Sequence, residues 1–226
     1  MQRGQQSVPK RVIIVCDSAP LLEVAESLKI DSMHIITIVE SARLPVDLSE
    51  WDVLWSFHCR KILPKEVVHG IPCLNVHPGL NPYNRGMFPH VFSIMNGLPT
   101  GATIHYMSED VDAGPIVCQK QVPVYSCDTS LDVYERILKV EFELIRLNFD
   151  FVTEELPDGQ VTDNEGNINF TRDFKRICKL DLNDVGTLGK HIDMLRALTH
   201  GNNKNAFFID EYGSSVFVRV SLDEEG

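Results

Sequence analysis

With 226 residues, 43% hydrophobic and 23% charged, the chain has the make-up of an ordinary globular protein long enough to bury a full core. Its 21 Lys and Arg against 32 Asp and Glu leave a net charge of −11, which sets aside broad binding to nucleic acid, because that needs clustered positive charge. No apolar run approaches the ~20 residues of a membrane span, and residues 1–10 are polar rather than signal-like, so a cytoplasmic protein without a membrane partner is expected.

Residues 11–16 read as a buried strand, residues 20–28 have helical spacing, and residues 33–39 form a second β-branched run. Residues 52–57 and 71–76 follow as further strands. Strands alternating with helix-length segments imply a parallel sheet with crossover helices. The first strand leads into Asp17-Ser18-Ala19-Pro20, so a glycine-rich dinucleotide fingerprint is absent. After the third strand, Ser56-Phe57-His58-Cys59-Arg60-Lys61 gathers an aromatic, a His and two cations at a loop that could edge a ligand or simply face solvent.

Asn75 and His77 lie two residues apart at the end of the fourth strand, so both side chains leave one face, where open α/β sheets bind ligands. Pro78, Gly79 and Pro82 terminate that strand. Residues 88–96 carry Phe88, Val91, Phe92 and Met95 at helical spacing, and Asn96-Gly97 ends the segment. Residues 101–107 and 116–124 read as an antiparallel strand pair joined by an acidic, glycine-containing loop. Asp128-Thr129-Ser130 then caps a long amphipathic helix reaching about residue 148. Composition shifts near residue 151, which gives a core over 1–150 and an extension over 151–226. The extension is polar and turn-rich to residue 169, has a helix within 186–199, and ends in a hairpin around Tyr212-Gly213. Apolar residues on both hairpin faces point to packing, either on the chain's own body or in a symmetric dimer. The six cysteines are scattered, with no C-x-x-C pair and no His at zinc spacing, and read as reduced core residues; no metal is expected.

Three linked segments resemble the folate-dependent formyltransferases: Asn75-Val76-His77-Pro78-Gly79-Leu80, Gly101-Ala102-Thr103-Ile104-His105, and Val111-Asp112-Ala113-Gly114-Pro115-Ile116. The match covers about residues 50–150. It implies a Rossmann-like α/β core with a mixed, mostly parallel sheet, followed by a small C-terminal helix and β-hairpin region. It implies catalytic roles for Asn75, His77 and Asp112 and N10-formyltetrahydrofolate as formyl donor. Folate contacts would fall on Val111, Ala113 and Gly114, with Phe57 a weaker candidate. His105 is read as supporting these residues rather than acting on substrate.

The string Tyr83-Asn84-Arg85-Gly86-Met87-Phe88-Pro89-His90 and the tail from Leu195 to Asp210 are similar to the sugar N-formyltransferases, which act on nucleotide-linked amino sugars. Met87 and Phe207 depart from that group's usual Trp and Tyr. Tyr83 and Arg85 could contact the sugar nucleotide or form an exposed turn, and Phe207 could stack on its base or pack in the core; the expected acceptor is a 3-amino or 4-amino dideoxyhexose linked to dTDP, UDP or GDP, with dTDP-4-amino-4,6-dideoxyglucose foremost, in the synthesis of O-antigen-type glycans. A glycinamide ribonucleotide formyltransferase, a formyltetrahydrofolate hydrolase and a non-catalytic folate- or nucleotide-binding module are the alternative expectations. The methionyl-tRNA enzymes are disfavoured by length and by charge.

Overall fold

A computed structural model of the protein describes residues 8–45 and 47–224, so part of the N-terminal reading lies outside the described residues. The first half alternates as expected: β1 (Arg11–Cys16), α1 (Ala19–Asp31), β2 (Ile35–Val39), β3 (Val53–Phe57), α2 (Lys65–Gly70) and β4 (Cys73–His77), with a 3-10 turn at Ser41–Arg43. Then come a short β5 (Arg85–Gly86), α3 (Pro89–Asn96), β6 (Thr100–Tyr106), β7 (Ile116–Val122) and α4 (Ser130–Glu155). The remainder contains β8 (Ile168–Asn169), α5 (Thr171–Cys178), α6 (Leu188–Leu198), β9 (Phe207–Ile209) and β10 (Ser215–Phe217).

Six strands form one sheet in the order β2-β1-β3-β4-β6-β7. β1 pairs in parallel with β2 and β3, and β3 with β4, whereas β6 runs antiparallel to β4. β7 is antiparallel to β6, since Tyr106 N–H bonds the Pro115 carbonyl at one end while Gly101 abuts Lys120 at the other. This is the mixed, mostly parallel sheet the sequence leads one to expect.

β1 and β3 are almost wholly buried because both sheet faces are covered, the usual condition of a parallel sheet. Ile13, Val15, Leu54 and Cys73 cluster with Leu48, Leu63 and Val67. Trp55 instead meets Phe149 of α4 at 5.1 Å between ring centroids, and its indole N–H donates to the Thr153 hydroxyl at 3.1 Å. Enclosing a large apolar side chain of this kind is worth about 1.5–3 kcal/mol. The apolar stripe predicted to residue 148 continues through Phe149 and Val152, and α4 accordingly runs on to Glu155.

The described residues form two compact units that interleave along the chain. The first takes the stretches to His77, Thr103–Gln119 and Glu141–Asp163; the second takes Pro78–Ala102, Lys120–Val140 and the chain from Asn164 onward. In the second unit, α3 opens after Phe88 at φ 57° and closes at Gly97 at φ 71°, and it packs on α6. Thr129 stands just before α4, and both its N–H and its hydroxyl donate to Asp132 in the first turn. The buried Arg196 of α6 donates to the carbonyls of Tyr125 and Asp128, and the Asp128 carboxylate in turn takes two hydrogen bonds from Arg136 at 2.9 Å. The terminal hairpin forms as expected, with Gly213 N–H bonding the Asp210 carbonyl and Ile209, Val216 and Phe217 left exposed.

Candidate active site

The geometry of the site begins with strand alternation. Asn75 and His77 project from one face of β4, and the antiparallel register sets His105 of β6 opposite Asn75. His77 and His105 are almost completely buried. The loop between β6 and β7 supplies the carboxylate. Asp112 sits there at φ 48°, a left-handed backbone that Asp tolerates because its short polar side chain bonds locally. Gly114, two residues on, lies so close to the Tyr106 carbonyl that any β-carbon would collide with it, which fixes the return path of the chain. Met107 N–H bonds the Cys73 carbonyl at 2.8 Å, and Glu109 takes an ion pair from Lys65 of α2 and contacts His69 at 3.2 Å, so the loop is held at both its base and its side.

These elements bring four side chains together. Asn75 Nδ2 donates to Asp112 Oδ1 at 3.1 Å and to His105 Nε2 at 3.3 Å. His77 Nδ1 faces Asp112 Oδ2 at 3.4 Å, and His105 Nε2 lies 3.5 Å from Asp112 Oδ1. His105 donates its Nδ1–H to the Tyr106 carbonyl at 2.7 Å, which fixes the ring and leaves Nε2 as an acceptor in the neutral form. A single carboxylate is thus shared by an amide and two imidazoles. Among the described residues no group of His, Cys, Asp and Glu is arranged to hold a metal ion. The cluster is equipped for donating hydrogen bonds and for moving a proton.

The neighbouring loop after β3 is organised by residues that the sequence did not single out. Asp17, directly after β1, accepts from Ser41 N–H at 2.9 Å and from Arg60 N–H at 2.7 Å. Burial alone would raise its carboxyl, but the hydrogen bonds from Arg60 and Ser41 outweigh it and hold the group below the usual carboxylate value. A lowered folded-state value means that the stabilisation is complete above the unfolded value of ~3.9 and is lost as pH falls through the folded one. Asp17→Ala is therefore expected to lower the unfolding free energy at neutral pH by about 1 kcal/mol, partial exposure screening the charge, with the difference from wild type vanishing in acid. Denaturant titrations of both proteins at neutral and acid pH measure it.

His58 follows at φ 55° and bonds Glu141 of α4 at 2.8 Å, the carboxylate being fully buried. Glu141 was legible only as a charge inside an apolar stripe. Phe57, expected as a folate contact, has no exposed surface; its ring packs on Trp55 edge to face at 6.2 Å and belongs to the core. Val111, half-buried, and Ala113, exposed, flank Asp112 in the loop.

In the second unit Tyr83 and Arg85 are half-buried on either side of the fully buried Asn84. Phe207 is on β9, where its ring meets Phe217 at 5.8 Å. Tyr83 and Arg85 are thus presented by one short segment and Phe207 by the terminal hairpin.

Comparison with known proteins gives two family matches: Formyl transferase over residues 44–147, and N-formyltransferase dimerization C-terminal domain over residues 173–224. A dTDP-4-amino-4,6-dideoxyglucose formyltransferase of Mycobacterium tuberculosis is 43% identical over 178 residues, covering 79% of this chain and 76% of that protein. Among solved structures, a 4-N formyltransferase from Francisella tularensis superposes with a TM-score of 0.87 at 36% identity, covering 96% of this chain and 99% of that one. A sugar N-formyltransferase from Shewanella sp. FDAARGOS_354 gives a TM-score of 0.86 at 35% identity over the same shares of the two chains.

Proposed function

We propose, from the premise that this chain belongs to the formyl transferase family and is one of its sugar N-formyltransferases, that it moves the formyl group of N10-formyltetrahydrofolate onto the 4-amine of dTDP-4-amino-4,6-dideoxyglucose. The observation that carries the chemistry is the meeting of Asn75, His77 and Asp112 from β4 and the β6–β7 loop at 3.1–3.4 Å. The acceptor identity is supported by the 43% identical relative that bears this name.

In the reaction the sugar amine forms a bond to the formyl carbon, a tetrahedral oxyanion develops, the bond to the folate nitrogen breaks, and tetrahydrofolate leaves. Asn75 and protonated His77 are the donors for that oxyanion. Asp112 stabilises the imidazolium of His77, and this pair takes the proton that the amine loses and returns one to the departing folate nitrogen, so that tetrahydrofolate leaves neutral. Asn75 reaches the oxyanion by giving up its bond to His105 Nε2. Val111, Ala113 and Gly114 offer the donor a loop backbone that approaches closely. Tyr83 and Arg85 take the sugar nucleotide, the guanidinium pairing with the diphosphate as a fork, and Phe207 stacks on the base. The scattered cysteines, with no C-x-x-C pair, suit the cytoplasmic setting of this reading, and the match to a dimerization domain supports a homodimer.

The test is an incubation of purified protein with N10-formyltetrahydrofolate and a panel of amines, read by mass spectrometry. Expected is a product heavier by one formyl group from dTDP-4-amino-4,6-dideoxyglucose. Formylation of glycinamide ribonucleotide instead, or consumption of the donor by water at the same rate with no amine present, contradicts the reading.

A further inference from the structure

Asn84 lies between the two residues assigned to the sugar nucleotide. The side chain is fully buried. Its carbonyl oxygen accepts from Asn167 Nδ2 at 2.6 Å, Asn96 Nδ2 at 2.9 Å and Asn169 Nδ2 at 3.2 Å. Its amide donates to the Ser93 hydroxyl at 2.9 Å and to Asn96 Oδ1 at 3.4 Å, and its backbone N–H donates to Asn167 Oδ1 at 2.9 Å. Three other asparagines and a serine from α3 and the β8 segment therefore enclose one amide.

The backbone makes the same selection. Asn84 is at φ 49°, a left-handed conformation open mainly to Gly, Asn and Asp. That turn sends the Asn84 side chain inward and leaves Tyr83 and Arg85 half-buried on either side. The segment is then stapled to β8: Arg85 N–H donates to the Asn167 carbonyl at 2.9 Å and Met87 N–H to the Asn169 carbonyl at 2.8 Å. Gly86, at φ 84°, packs so closely on the Asn169 carbonyl that a β-carbon there would collide with it. A buried polar network of this kind rigidifies when every member is satisfied and is costly when one is removed.

We propose that Asn84 is a positioning residue for the acceptor: by filling the Asn96–Asn167–Asn169–Ser93 cage in a left-handed turn, it presents Tyr83 and Arg85 to the nucleotide-linked amino sugar in one fixed geometry. The proposal rests on the assignment of those two residues to the acceptor. Asn84 acts through them and touches neither the formyl group nor the reacting amine. Glycine at this position satisfies the backbone and empties the cage. Asp satisfies the backbone and keeps the acceptor side of the cage. Alanine satisfies neither.

The experiment compares Asn84→Ala, Asn84→Gly, Asn84→Asp and Asn167→Ala, the last on a partly exposed side chain. Expected is a KM for the amino sugar nucleotide raised about tenfold or more in Asn84→Ala and Asn84→Gly, less in Asn167→Ala, with kcat and the KM for N10-formyltetrahydrofolate nearly unchanged. Asn84→Asp should recover part of the lost affinity. Backbone amide exchange at Arg85 and Met87 should accelerate by about tenfold or more in Asn84→Gly, while that of β1 does not. Wild-type turnover with an unchanged acceptor KM in all four variants overturns this proposal alone, as does a loss shared equally by the folate KM, kcat and melting temperature. A wild-type protein that formylates no nucleotide-linked amino sugar overturns the functional reading, and the acceptor role of Asn84 falls with it.

Discussion

Asp112→Asn is expected to lower single-turnover formyl transfer by about 10³-fold, within the 10²–10⁴ that a positioned acid–base group contributes. The substitution is chosen for its backbone neutrality. Asp112 sits at φ 48°, and Asn accepts that conformation as readily as Asp does. An Asn there still offers Asn75 a carbonyl acceptor, so the 3.1 Å contact has a replacement. What disappears is the negative charge that His77 and His105 share at 3.4 and 3.5 Å. Without it the imidazolium of His77 loses its counter-ion and the departing proton loses its route. Unchanged melting temperature with a collapsed rate is the expected pattern. Asp112→Ala is less informative, since alanine adds backbone strain to the loss of charge.

The second large effect is at His77, where His77→Asn is expected to reduce turnover by about 10²–10³-fold, the usual cost of losing one donor to a developing oxyanion. The residue is at the end of β4, paired across the sheet with Thr103, so the strand holds its place whichever side chain it carries. With His77 and Asp112 proposed to act as a pair, the double variant His77→Asn/Asp112→Asn should fall little below the worse single one. A double loss equal to the product of the two would mean that the side chains work independently. Rates at saturating donor and acceptor separate these cases.

The proposed trio was legible in the sequence because each part is local. Asn75 and His77 are fixed by strand alternation, and Asp112 by a turn whose Gly114-Pro115 ending sets the loop. The support around them was not legible for a related reason. The Asn84 cage is closed by Asn167 and Asn169, 83 and 85 positions away, and an asparagine-rich stretch reads as an ordinary loop until something buries it. Glu141 sits between Val140 and Phe142 on α4, and only the arrival of His58 gives its buried carboxylate a partner. Phe57 shows the converse ambiguity. An aromatic at a strand end looks the same in sequence whether it edges a ligand or fills the core, and here Trp55 beside it takes its ring. The short α2 and α5 and the two-residue β5 and β8 escaped because elements of that length carry too few residues for a period to show.

The central claim is that Asn75, His77 and Asp112 surround the carbon being transferred. A crystal structure of the protein with a stable formyl-folate analogue and dTDP bound tests it most directly. The account predicts the formyl oxygen about 3 Å from the Asn75 amide and the His77 ring, with Asp112 on the side from which the amine arrives. A formyl group bound more than about 6 Å from all three side chains, beyond hydrogen-bond reach even through one water, would contradict it.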